Sequence, residues 1–190
     1  DVAIEDIAHG LARVARWNGQ TVGEHAFSVA QHVLIVEEIA ADRNPQWKAD
    51  WRRAALLHDA PEYVVGDLIS PFKTAIGYDY KTFENRLLEA IHRRFSLPAQ
   101  LPHDVTAEIK AADHIAAYYE ATGLAGFSID EARIYFGSPD GLTEPLIQRL
   151  DLASEIQYVI AESIDVFQPI WRQPSQDFLV DYSPLGLELL

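Results

Sequence analysis

The residues best able to do chemistry lie in the stretch Leu56-Leu57-His58-Asp59-Ala60-Pro61-Glu62, followed closely by Gly66-Asp67. An imidazole beside a carboxylate in an apolar, helix-like context is costly to bury unless a cation offsets the lost hydration. His25 upstream and Asp113 downstream join His58 and Asp59 to make two imidazoles and two carboxylates, a ligand set for one divalent metal ion. Such a mixed set suits Mn, Co, Fe, Ni, Mg or Zn. Four protein ligands around an octahedral ion leave two positions for water and a substrate oxygen, the arrangement of metal-assisted hydrolysis. Taken singly, each residue has a plainer reading: a histidine on an apolar stripe is usually a hydrogen-bonded core residue, and Asp113 alone could be a buried cap. Together they favour the ion.

These side chains need helices to position them, and the chain reads as all-α. Thr21-Val22-Gly23-Glu24 has the form of a capping box, with Thr21 as N-cap. The helix it opens carries Val29, Val33, Val36 and Ala40 at three-to-four spacing, and His25 extends that inward stripe. His32, two turns further on, is read as holding a ligand in orientation. A second helix over residues 46–60 ends near Pro61, so His58 and Asp59 fall at a loosening terminus, where neighbouring side chains converge most easily. Residues 66–78 read as a loop over the site. Phe83, Leu87, Leu88, Ile91 and Phe95 mark another helix, and residues 104–122 a further one, closed by Gly123 and bearing Asp113. Residues 127–140 look loop-like. Thr143 then caps a long helix carrying Leu146, Leu150, Ala153, Ile156, Ile160 and Ile164. The only hint of strand is Phe178-Leu179-Val180-Asp181-Tyr182, in an apolar tail expected either to pack back on the core or to cover a subunit partner.

Bulk properties narrow the function. One hundred and ninety residues, 48% hydrophobic, suit one domain spanning residues 1–190. The formal charge of −14 argues against a nucleic acid polymer as partner, because phosphate-backbone binding runs on clustered Lys and Arg. A small anionic substrate is still open to it, since a bound metal or one local Arg reverses the potential within a single pocket. No apolar run approaches a membrane span, and the first residues lack a secretory layout, so a cytoplasmic location is expected. With no cysteine there is no disulfide, zinc–thiolate site or thiol nucleophile. There is no methionine either, initiator included, which leaves open whether Asp1 is the native start.

His25, then His58-Asp59, then Asp113, all in helical settings, resembles the H…HD…D pattern of the HD-domain metal-dependent phosphohydrolases over residues 16–119. The likeness is closer to the bacterial 5'-deoxynucleotidase branch. That branch has an Arg-Trp pair shortly before the first His, here Arg16-Trp17, and a Glu three residues after the HD Asp followed by Gly-Asp, here Glu62 and Gly66-Asp67. The resemblance implies a single HD-type helical domain, one divalent ion, hydrolysis of a nucleoside 5'-monophosphate to nucleoside and phosphate, and frequent homodimers. Asn18-Gly19-Gln20 and the long connection over residues 123–143 match no feature of that branch.

Chemistry assigns the remaining roles. Glu62 lies one turn from His58 and is placed to act as general base toward water; otherwise it is a solvated surface acid. Asp67 could protonate the leaving oxygen or bind a sugar hydroxyl. Arg16 could clamp phosphate, Trp17 could pack on sugar or base, and Lys73 is a second candidate for phosphate. Hydrolysis of another phosphate ester or a nucleotide pyrophosphate, and a metal- or nucleotide-binding role without turnover, remain the alternatives.

Overall fold

Ser28 starts the central helix. Its Oγ accepts the Gln31 N–H at 3.3 Å, and the Gln31 side chain accepts the Ser28 N–H at 2.8 Å, a reciprocal capping box. The helix that follows, α2 (Val29–Arg43), therefore begins two turns later than the Thr21 signal implies. Gly23, at φ 108°, breaks any helix attempted from Thr21, and Thr21 instead accepts the Phe27 N–H. The shift preserves the apolar stripe, because seven residues are about two helical turns. It exchanges the histidine: His25 is exposed on a bend, while His32 is fully buried in the first turn of α2.

The computed structural model describes residues 2–23, 25–69, 72–73, 75 and 77–151, and among these the regular secondary structure is helical apart from an isolated Ala15–Ser28 bridge. The helices are α1 (Ile4–Leu11), a 3-10 turn (Arg16–Gly19), α2, α3 (Ala49–Leu56), α4 (Glu62–Val65), α5 (Tyr78–Arg94), α6 (His103–Gly123), α7 (Ile129–Phe136) and α8 (Glu144–Asp151). Residues 29–37, with Ile39 and Ala40, are buried, so α2 is enclosed nearly all round, the polar Gln31, His32 and Glu37 included. It packs against α3 and α6, while α1 packs against α4 and α7 against α6. At the close approach of α1 to α4, a Cβ on Gly10 would sit 2.8 Å from the Tyr63 Cβ. The far end of α2 is tied down too: Asp42 accepts both the N–H and the hydroxyl of Thr143, and Arg43 pairs with Glu108 of α6 at 3.1 Å.

Two further expectations need correction. Residues 127–140 are not loop throughout, because Ser128 and Glu131 form a second capping box that opens α7. The helix expected over 46–60 is shorter: α3 ends at Leu56, a turn carries His58 and Asp59, and Pro61 is the N-cap of α4. The helix capped by Thr143 is described only to Asp151. The Phe178-Leu179-Val180-Asp181-Tyr182 segment and the apolar tail around it lie outside the described residues.

Candidate metal centre

Two imidazoles converge on one carboxylate. His32 Nε2 lies 3.5 Å and His58 Nε2 3.3 Å from Asp59 Oδ2, and Asp113 Oδ1 lies 3.3 Å from His32 Nε2. Donors about 2.1 Å from a common ion stand ~3.0–3.4 Å from one another, so these separations fit such a ligand set. Both Nε2 atoms are buried and lack a hydrogen-bond partner, a costly condition unless something electrophilic sits between them. Each ring is oriented from behind: His58 Nδ1 donates to the Ala55 carbonyl at 2.7 Å, and His32 Nδ1 donates to Glu120 Oε1 at 2.6 Å. This leaves the Nε2 side of each ring for a metal. His32, His58 and Asp59 could hold the ion; Asp113 flanks them, its second oxygen held by Lys110 at 2.6 Å.

The electrostatics agree with a cation site. Burial by itself would push Asp59 up, but His58 and His32 hold its carboxyl well below the usual range. Asp113 is likewise held down against burial, chiefly by His32. Burial and Arg16 both work against a charged His32, yet Glu120, Asp113 and Asp59 outweigh them and raise it well above the ordinary imidazole value. Positive charge is therefore favoured at this point.

Of the residues expected at the site, the structure brings together His58, Asp59, Asp113, Arg16 and Asp67. It does not bring His25. Arg16 Nη1 lies 3.7 Å from Asp59 and 3.9 Å from Asp67. Glu62 is 2% exposed at the start of α4, with one oxygen 3.3 Å from Lys73 Nζ and the other buried without a partner. Burial, then the charges of Asp59 and Asp67, push its carboxyl up to about 8 against the opposing Lys73 and Arg16. Lys73 bridges Glu62 and Glu84 rather than standing free. Trp17 packs its ring on Phe127 and Phe136.

One participant, Glu120, was missed from sequence, and His32 was read as orienting a ligand rather than as one. His32 was legible, since Ser28-Val29-Ala30-Gln31 satisfies the same capping rule that was applied to Thr21. Glu120 is enclosed completely and accepts from His32, from Arg16 Nε at 3.1 Å and from Trp17 Nε1 at 2.9 Å. Its only sequence signal is position, seven residues after Asp113 in an otherwise apolar run. His92 is 3% exposed on α5. It helps line a cavity of about 220 Å³ that opens beside His58, Asp59 and Asp113 and is walled by Leu88, Thr106 and Ile109.

Comparison with known proteins places this arrangement. The chain is 59% identical over 140 residues to an uncharacterized protein of Rhodobacter capsulatus, an alignment covering 74% of this chain and 71% of that protein. Residues 8–123, which run from the second half of α1 to the end of α6 and hold every side chain of the cluster, match the family model described as 5'-deoxynucleotidase YfbR-like. The chain belongs to the YfbR-like 5'-deoxynucleotidase family.

Proposed function

We propose that this chain hydrolyses nucleoside 5'-monophosphates, the deoxy forms foremost, to nucleoside and phosphate, with one divalent ion held by His32, His58, Asp59 and Asp113. The observation that carries the reading is the pair of buried, unpartnered Nε2 atoms facing Asp59. When bound, the ion supplies Lewis acidity toward a phosphoryl oxygen and lowers the pKa of water. Around it the protein's own groups divide the work. Glu62 accepts the proton of the attacking water on its unpartnered oxygen while Lys73 holds the other. Arg16 presents its Nη1 end to the phosphate from beside Asp59 and Asp67. Asp67, whose carboxyl is raised by burial and by Asp59, donates a proton to the departing ester oxygen. The cavity beside the cluster, with apolar walls and the Thr106 hydroxyl, takes the nucleoside. The same reading includes one domain over residues 1–190 and self-association into a homodimer.

The test is phosphate release from purified protein reconstituted with Mn, Co, Mg or Zn, against ribo- and deoxynucleoside monophosphates, with Glu62→Gln as the blank. Turnover of the deoxy series that Glu62→Gln lowers by roughly 10²–10⁴-fold is expected. Activity on none of the monophosphates with any ion would overturn the substrate assignment.

A further inference from the structure

We infer that Glu120 is a positioning residue that joins the ion site to the phosphate hook through one buried carboxylate. The inference rests on the hydrolase reading above and adds a dependence between two of its parts. Helix α6 carries Asp113 and, two turns later, Glu120, so one helix supplies both an outer ligand and the group behind the opposite ligand. The Glu120 side chain is 0% exposed and cannot touch substrate. It acts through its three donors.

Oxygen Oε1 accepts a hydrogen bond from His32 Nδ1–H at 2.6 Å, which directs the His32 Nε2 lone pair at the cluster. Oxygen Oε2 takes Arg16 Nε at 3.1 Å and Trp17 Nε1 at 2.9 Å. With Nε occupied, the guanidinium turns its Nη1 end toward Asp59 and Asp67. The backbone has been bent to reach this arrangement. Trp17 and Asn18 both sit at positive φ, 55° and 51°, a left-handed pair without glycine that persists where surrounding contacts enforce it. The main chain helps from the other side: Arg16 N–H donates to the Phe27 carbonyl and Val29 N–H to the Val14 carbonyl, which locks the Arg16–Gly19 turn against the start of α2. His32 and Arg16 thus meet at one acceptor. A purely structural acid would need neither two partners drawn from the candidate site nor a turn held at positive φ.

An amide in this place has one acceptor oxygen for three N–H donors and turns its own N–H₂ at one of them. Glu120→Gln is therefore expected to weaken two substrate-free equilibria together. Mn²⁺ affinity, measured by chelator competition, falls roughly 10–100-fold, and the affinity of the Mn²⁺-saturated protein for inorganic phosphate falls by tenfold or more. Glu108→Gln, on the same helix but paired with Arg43, leaves both within twofold. Circular dichroism checks folding, and if Glu120→Gln fails to fold, Glu120→Asp is read by the same two titrations. Wild-type Mn²⁺ affinity in Glu120→Gln, or a loss of ion affinity with phosphate affinity untouched, overturns the inference while leaving the hydrolase reading in place. A wild-type protein that binds no ion overturns both.

Discussion

Glu62 sits where a carboxylate is least comfortable: buried, faced by Asp59 and Asp67, and relieved only by Lys73 and Arg16. In the proposed reaction that discomfort is useful, because a base whose pKa lies near the working pH abstracts a proton more effectively than an ordinary carboxylate. Lys73 sets the balance. Its positive charge favours the ionised form of Glu62, so removing it raises the Glu62 pKa. The acid limb of kcat/KM against pH in Lys73→Met should therefore move to higher pH than in the wild type; an unmoved limb would separate Lys73 from the base. At this scale much was legible. Glu62, Asp67 and the His58-Asp59 pair announce themselves by residue type and spacing. The first histidine did not, because His25 and His32 lie two turns apart on one extrapolated stripe and only the true helix start distinguishes them. Glu120 was invisible for another reason: its partners lie more than 80 residues away, and nothing local marks a carboxylate for burial.

At the scale of elements, the site depends on how α1 seats α4. Gly10 permits that contact, since an added methyl would come within 2.8 Å of the Tyr63 Cβ and 3.3 Å of its carbonyl oxygen. Tyr63 is the neighbour of Glu62, and the backbone there has little room to retreat. Gly10→Ala is expected to destabilise the protein by about 1–3 kcal/mol and to lower kcat by shifting Glu62, both read from thermal melts and initial rates on the same preparation. A melt and rate equal to wild type would mean that α1 moves aside freely. The helices themselves follow from apolar periodicity and caps, and the sequence errors trace to caps. Thr21 was preferred to Ser28, and Ser128 with Glu131 was passed over, so α2 was begun too early and α7 was missed. Periodicity tells which face is inside; it does not tell which turn comes first.

For the molecule as a whole, a residue outside the cluster makes its own contribution to acid stability. His92 is buried, donates Nδ1 to the Ala99 carbonyl at 3.2 Å and leaves Nε2 without a partner. Burial lowers its pKa below 6.5, with the Ala99 and Pro98 carbonyls and Glu89 opposing only in part. The unfolded chain takes up a proton near pH 6.5, whereas the folded chain resists until lower pH. Between those two values the unfolded state binds more protons, so stability falls as the pH drops through that window and is complete above it. Between pH 7.5 and 5.5 the wild-type melting temperature should drop relative to that of His92→Gln, since Glu62 and His32, both raised, titrate alike in the two proteins. Equal slopes in the two proteins would remove His92 from the account.

The left-handed pair at Trp17 and Asn18 has a consequence for anyone redesigning the turn that carries Arg16. Randomising positions 17 and 18 selects first for handedness and only afterwards for fit to a ligand. Asparagine and glycine survive such a library at 18, whereas valine and isoleucine are rejected there before any substrate is met. Diversity at that corner is limited by torsion before it is limited by chemistry.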